Sequence, residues 1–225
     1  MIDWQTIDTV LLDMDGTLLD LHFDSHFWLE HLPRRYVELH QLDEASQTRL
    51  TKEQLIARIS DMQGTLSWYS LDNWSRELGV DIIALKREVQ HLIGLRGDAL
   101  DFLQWLKTQH PRVILATNAD RPSLELKLPL TGLESYLDAI VSSQDVGAAK
   151  EEQAFWFALQ EIEPFDPART LFIDDNPRVL ESAREFGIRY LLGIREPDSQ
   201  RPEKVLKEFV ALDRFADLMQ SSPTA

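Results

Sequence analysis

Five times along this chain a short, largely apolar run stops abruptly at small or polar residues. The first is Thr9-Val10-Leu11-Leu12, which ends on Asp13-Met14-Asp15-Gly16-Thr17-Leu18. The others are Arg112–Asn118, Leu137–Ser143, Thr170–Asp175 and Ile188–Gly193. Continuous apolar runs of this kind suit parallel strands covered on both faces. Segments of helical periodicity lie between them, and strands alternating with helices imply a parallel sheet with right-handed crossovers. The expected fold is therefore α/β: a doubly wound, Rossmann-like parallel sheet of about five strands.

Three helices are expected around that sheet. Asp98 would cap one whose inner face is Leu100, Leu103 and Leu106. Ala154, Phe155, Ala158, Leu159 and Ile162 form the stripe of a second. The third has Asn176 as N-cap, Pro177 in its first turn, Leu180, Ala183 and Phe186 inward, and Gly187 as its stop.

One crossover does not fit the alternation. About 90 residues separate Thr17 from Val113, where a crossover needs on the order of a dozen or more. The stretch reads as helical throughout. Phe27, Trp28, His31 and Leu32 form one face before Pro33; Leu55, Ile59 and Met62 a second; Leu71, Trp74 and Leu78 a third; Leu85, Val89 and Leu92 a fourth. We expect an all-helical cap over residues 20–94, returned through Gly94 and Gly97, on a catalytic core of residues 1–19 and 95–225. Leaving from the carboxyl end of the first strand, the cap must overhang whatever lies there, as lids do when they exclude water and select substrate. Only the tail Ser221–Ala225 reads as frayed.

Composition narrows the partners. A formal net charge of -15 disfavours nucleic-acid backbones and anionic membranes, both polyanions. With no cysteine, disulfides and zinc–thiolate sites are ruled out. No apolar run approaches the roughly 18 residues of a membrane span, and the N-terminus lacks a signal peptide's layout, so a cytoplasmic protein is expected.

In a doubly wound sheet the strand ends gather at one edge. That edge would collect Asp13 and Asp15 from the first strand, Thr117 and Asn118 from the second, Lys150 from the start of the helix after the third, and Asp174 with Asp175 from the fourth. The set suits phosphoryl transfer. Mg²⁺ takes oxygen ligands and commonly binds through one or two carboxylates, waters and a substrate phosphate. Asp13 and one of the terminal aspartates can supply carboxylates, and the Asp15 main-chain carbonyl a further oxygen. Thr117, Asn118 and Lys150 offer donors to phosphate. Four acids around one site would raise one another's pKa without cations to offset them. Asp13 can then serve as nucleophile, forming an aspartyl-phosphate, and Asp15 as the acid and base for the leaving oxygen and the attacking water.

The set Asp13-Met14-Asp15-Gly16-Thr17, Thr117-Asn118, Lys150 and Asp174-Asp175 resembles the four ordered motifs of the haloacid dehalogenase superfamily, in its phosphatase branch with a helical cap after the first strand. The resemblance covers essentially the whole chain. It implies a Mg²⁺-dependent phosphohydrolase with Asp13 as nucleophile, Asp15 as general acid/base, Thr117 and Lys150 on phosphate, Asp175 as direct metal ligand and Asp174 acting on metal-bound waters. One departure is Glu151, where relatives often have proline after the lysine. Three segments, from Leu18 to Trp28, Thr65 to Asp72 and Phe186 to Gly193, resemble bacterial purine 5′-nucleotidases acting on GMP and IMP. The expected partner is a small phosphate monoester such as a nucleotide. The alternatives are a sugar-phosphate phosphatase or phosphomutase on the same scaffold and, further off, a non-catalytic phosphate-binding protein or a phospho-acceptor signalling domain; the order of the motifs disfavours the last.

Blander roles compete at several positions. Asp174-Asp175 before Asn-Pro could be a helix cap, and Lys150 alone a solvated lysine. Trp28, Trp68, Tyr69 and Trp74 offer faces to a purine, but their spacing favours packing within the cap. His22, His26 and His31, and Arg34, Arg35 and Arg58, read as ordinary helix residues.

Overall fold

The computed structural model describes residues 2–41 and 50–219, so the expected frayed tail lies outside the described residues. Among the described residues six parallel strands form one sheet: β1 (Thr9–Leu12), β2 (Arg112–Thr117), β3 (Ala139–Ser142), β4 (Thr170–Asp174), β5 (Tyr190–Ile194) and β6 (Val210–Leu212). Their order is β3-β2-β1-β4-β5-β6. The α/β doubly wound expectation holds, with one strand more than anticipated. β6 escaped notice because it is three residues long and lies at the sheet edge with Val210 69% exposed, so it lacks the two-sided apolar run of a central strand.

β1 is central. Leu12 stands opposite Leu115 of β2 on one side and Ile173 of β4 on the other. The chain winds outward through β2 and β3, returns to β4, then winds outward the other way. That reversal leaves a crevice at the carboxyl ends of β1 and β4, where ligands bind in open α/β sheets.

Side chains alternate across the sheet. Val10, Leu12, Leu115 and Ile173 enter one buried layer with Phe102 and Leu103 of α6 (Ala99–Gln109) and Leu124 of α7 (Arg121–Thr131). Leu11, Ile114 and Phe172 enter the opposite layer. There they meet Phe155, Trp156 and Leu159 of α9 (Gln153–Ile162) and Val179, Leu180 and Ala183 of α10 (Pro177–Phe186). The short α8 (Ser143–Val146) precedes α9, and α11 (Ala216–Met219) follows β6.

Between β1 and β2 the described residues form α1 (His22–His26), α2 (Leu32–Gln41), α3 (Lys52–Met62), α4 (Leu71–Leu78) and α5 (Ile82–Glu88). Their apolar faces close on a cluster of their own, including Phe27, Leu55, Trp74 and Leu85, joined by Leu126 from α7. At its base the two connections run side by side, with Asp20 N–H donating to Gly94 O at 2.9 Å and Arg96 N–H to Leu18 O at 2.9 Å.

The local expectations hold unevenly. Asn176 caps α10 by accepting from Arg178 N–H at 3.0 Å, Pro177 opens that helix, and Gly187 ends it at φ 107°. The first insert helix does not stop at Pro33. A single wide turn over Phe27–His31 joins α1 to α2, Leu32 N–H reaching back to Phe27 O, so the chain passes the proline's missing donor within a continuous helical segment. Asp98 does not cap α6 through its side chain; its carboxylate accepts instead from Ala216 N–H at 2.9 Å. Leu100 is only half-buried, and Ala99 and Phe102 fill the inner face with Leu103 and Leu106. On α9, Ala154 and Ile162 are exposed, and Trp156 takes the buried face with Phe155 and Leu159 because its indole N–H reaches Lys150 O and Ser182 Oγ. Among the described residues no helix is long and apolar enough to cross a membrane.

Candidate active site

The residue after β1 is Asp13, whose N–H continues the ladder to Ile173 O at 3.0 Å. β4 ends on Asp174, with Asp175 next. Pairing of β1 with β4 therefore delivers three carboxylates to one place, and single oxygens of Asp13, Asp174 and Asp175 lie within 4.8 Å of one another, all three residues buried. Lys150 Nζ reaches in among them, hydrogen-bonded to Asp13 Oδ1, 2.7 Å from Asp174 Oδ2 and 3.1 Å from Ala116 O. Lys204 Nζ pairs with Asp175 Oδ2 at 2.7 Å.

The electrostatics are strained. Burial pushes the Asp13 carboxyl up to about 7, against the pull of Lys150 and with the charges of Asp174 and Asp175 adding to the rise. Burial also pushes Asp174 up to about 6, again against Lys150. Burial works against the Lys150 ammonium, but Asp13 and Asp174 outweigh it and raise its pKa. Closely spaced carboxylates that resist ionisation need more positive charge than these lysines give, and an all-oxygen set is the kind that holds a hard dication. Asp13, Asp174 and Asp175 fit Mg²⁺ on that ground.

Lys150 is not at a helix start. It lies in the turn between α8 and α9, two residues before Glu152, the N-cap of α9. Its position is fixed through the main chain, Lys150 N–H donating to Asn118 Oδ1 at 2.9 Å. The Asn118 amide donates to Glu151 Oε2 at 3.0 Å, so both ends of Asn118 tie loops together. Thr117, at the end of β2, is buried and accepts from Ala119 N–H at 3.0 Å, leaving its own hydroxyl hydrogen for a ligand.

Asp15 belongs to a different cluster. Its carboxylate stands apart from the three-acid group and takes Lys127 Nζ at 2.7 Å. Lys127, on α7, also holds Asp24 of α1 at 2.6 Å, and Asp24 holds Lys86 of α5 at 2.6 Å. Burial pushes the Asp15 carboxyl up to about 6, with Lys127 opposing and Asp24 adding. Burial acts on Asp24 in the same sense, but Lys127 and Lys86 overcome it and hold that group below the usual carboxylate range. Gly16 makes room for the whole turn: its φ is +85°, and a Cβ there would stand 2.8 Å from Asp175 Cγ.

A cleft of about 270 Å³ is lined by both clusters, by Thr117 and by Trp28, Trp68 and Tyr69 of the insert. The insert is tied across it. Tyr69 Oη donates to Glu151 Oε1 at 2.7 Å, Leu71 N–H to Asp120 Oδ2 at 2.7 Å, and Gln144 Nε2 to Leu66 O at 2.8 Å. Trp74 is fully buried inside the insert, away from the cleft. His31, Arg35 and Arg58 pair with Glu88, Glu38 and Glu77 within the insert.

Sequence reasoning overlooked Asp24, Lys86, Lys127 and Lys204. Lys86 had a legible signal, standing four residues after Ile82 and three before Val89 on the same helical face, a polar residue in a buried stripe. Lys127 stands three after Leu124 in the same way. Lys204 lies in an irregular stretch that offers none.

The family model of haloacid dehalogenase-like hydrolases matches residues 7–187. Among curated proteins, the chain is 41% identical over 220 residues to the GMP/IMP nucleotidase YrfG of Escherichia coli (strain K12), covering 98% of this chain and 97% of that one. Among solved structures, a HAD phosphatase from Thermococcus onnurineus superposes with a TM-score of 0.74 at 19% identity, covering 94% and 96% of the two chains. YfnB from Bacillus subtilis, described as a HAD hydrolase bound to magnesium, superposes with a TM-score of 0.61 at 20% identity, covering 94% and 96%. With the strand-end acids, lysine and threonine in the expected order, the chain belongs to the haloacid dehalogenase-like hydrolase family and is an enzyme.

Proposed function

We propose that this hydrolase is a Mg²⁺-dependent phosphomonoesterase that works through an aspartyl-phosphate, and that its substrates are purine nucleoside monophosphates such as GMP and IMP. The observation that carries the chemistry is the convergence of Asp13, Asp174, Asp175 and Lys150 at the crevice between β1 and β4. The full-length likeness to a protein named a GMP/IMP nucleotidase supports the substrate. The division into a core of residues 1–19 and 95–225 and a cap of residues 20–94 is part of the same proposal, supported by the separate apolar cluster of the insert.

A carboxylate oxygen of Asp13 attacks phosphorus and the ester P–O bond breaks, leaving an acyl phosphate on Asp13. Asp15 delivers its proton to the departing oxygen, then takes one from the water that attacks the acyl phosphate. Lys150 and the Thr117 hydroxyl hold phosphate oxygens while charge moves among them. Mg²⁺, held by Asp13, Asp174 and Asp175, would supply the positive charge that keeps Asp13 ionised and neutralises the transferring group. The Asp15 carboxyl suits its part because it lies outside the three-acid cluster and titrates at about 6, within reach of both protonation states near neutrality.

A phosphate-release screen over nucleotides and sugar phosphates, with and without Mg²⁺, tests the proposal. We expect Mg²⁺-dependent release with purine monophosphates preferred. A preference for sugar phosphates would remove the nucleotidase assignment and leave the mechanism, and activity undiminished by chelator would remove the metal.

A further inference from the structure

Lys86 is a cation that the phosphoryl-transfer steps do not use. It projects from α5 into the cleft wall, 2% exposed, and its Nζ makes one hydrogen bond among the described residues, to Asp24 Oδ1 at 2.6 Å. The rest of its surroundings are aromatic: the rings of Phe23 and Phe27 at 4.8 Å and of Trp28 at 5.5 Å. An ammonium has three N–H donors, so two remain without a hydrogen-bond acceptor. Lys127 meets Asp24 at Oδ2 and is shared with Asp15, so Lys86, on Oδ1, supplies the second positive charge for that pair of acids and still has donors to spare.

Its place along the cleft suggests what the donors are for. The contacts run from Asp15 to Lys127, on to Asp24 and then to Lys86, each step 2.7 Å or less. Asp15 stands at the leaving oxygen in the proposed mechanism, and Lys127, Asp24 and Lys86 continue the cleft wall from it. Trp68, also in the cleft wall, carries a buried Nε1–H that has no partner among the described residues. Lys86 and Trp68 are donors only. A leaving group lodged against them must present acceptors.

We propose that Lys86, held in place by Asp24, reads the base of the substrate and selects a 6-oxopurine over a 6-aminopurine; this rests on the nucleotidase assignment. A 6-oxopurine shows two neighbouring acceptors, O6 and N7, whereas adenine replaces the first with an amino donor. In adenine only N7 is left to accept, so one ammonium N–H and the amino group facing it go unsatisfied in a buried wall. Sites built around such hydrogen bonds discriminate strongly, because the mismatched pair is left unpaired.

The test is kcat/KM for IMP, AMP and ribose 5-phosphate, with Mg²⁺, in the wild type and in Lys86→Gln and Lys86→Met. We expect the wild type to prefer IMP over AMP by at least about 100-fold, and both variants to cut that ratio by at least about tenfold, whatever loss is common to all three esters. A side chain that serves only cap packing would lower IMP and AMP in parallel, and that result overturns the inference. Inhibition of the unmodified enzyme by free nucleosides gives a measurement independent of variant folding: inosine should compete better than adenosine, and equal inhibition overturns the inference too. If the wild type prefers ribose 5-phosphate to IMP, the nucleotidase assignment itself fails; if it prefers purine nucleotides but the ratio does not respond at Lys86, only the role of Lys86 fails.

Discussion

Lys127 Nζ lies 2.7 Å from Asp15 Oδ1, although 112 residues separate the two in sequence. The same ammonium holds Asp24 of α1, in the insert. One buried cation thus joins the proposed acid/base to the helical insert, so the orientation of Asp15 depends on an element outside its own loop.

Replacing Lys127 with Met leaves Asp15 and Asp24 as neighbouring carboxylates with their shared cation gone. Removing one partner of a buried ion pair costs on the order of 3–5 kcal/mol; Asp15 and Asp24 keep 23% and 16% of their side-chain exposure, which points to the lower end, about 3 kcal/mol. Urea unfolding would measure it, and kcat should fall with the loss of Asp15 orientation. A change within about 0.5 kcal/mol, the scatter of ordinary surface substitutions, would show that the network carries little.

Asp13→Asn should abolish turnover and yet stabilise the metal-free fold, because it removes a charge that burial and the neighbouring carboxylates of Asp174 and Asp175 resist. A gain of about 1 kcal/mol corresponds to a rise of roughly 2–4 °C in Tm. A variant that kept substantial phosphatase activity would contradict the nucleophile assignment.

The pH dependence of stability follows from the same carboxyls. Folding raises Asp13 to about 7 and Asp15 and Asp174 to about 6, from an ordinary 3.8. Between roughly pH 4 and 7 the folded state therefore binds more protons than the unfolded one, and stability contributed by these groups falls as pH rises through that window. Asp24, held low, acts in the opposite sense but at more acidic pH. Mg²⁺ held as proposed would compete with those protons for Asp13 and Asp174. The rise in Tm on adding Mg²⁺ should thus be larger at pH 8 than at pH 5.5. Equal rises at both would show that the metal does not bind through these groups.

Gly16→Ala combines an unfavourable φ of +85° with a Cβ placed 2.8 Å from Asp175 Cγ. The backbone penalty alone is about 1–3 kcal/mol, and relief of the clash must displace Asp175. We expect activity to fall at least about tenfold and half-saturation by Mg²⁺ to rise, read from a metal titration of phosphate release. Unchanged metal affinity would mean that Asp175 is not a ligand.

Tyr69→Phe deletes the hydrogen bond to Glu151, which keeps Asn118 and Asn176 as partners. A bond to a charged acceptor contributes on the order of 1.5–3 kcal/mol. If closure of the insert over the cleft uses it, KM should rise by about tenfold or more with little change in kcat. A loss confined to kcat would assign Tyr69 to chemistry instead.

Much of the architecture was legible because it follows from local patterns. Apolar runs ending on acids marked β1 and β4, and Asn176-Pro177 with Gly187 marked the two ends of α10. Faces of single helices were less legible. α9 buries Trp156 rather than Ala154 because the indole N–H finds partners on two other segments, and no stripe in one helix reveals that. The edge strand β6 was invisible for the converse reason, having too little buried surface to leave a pattern.

By itself the sequence determined the kind of chemistry, since Asp13, Asp15, Thr117, Lys150, Asp174 and Asp175 stand at strand ends that a doubly wound sheet must bring to one edge. Tertiary structure alone decided how those charges divide. Asp13 and Asp174 share Lys150 and Asp175 takes Lys204, while Asp15 is drawn off to Lys127 and the insert. Which carboxylate meets which ammonium depends on distances of a few ångströms between segments about 20 to 140 residues apart, and on how deeply each is buried; packing sets both, and neither is written in local periodicity.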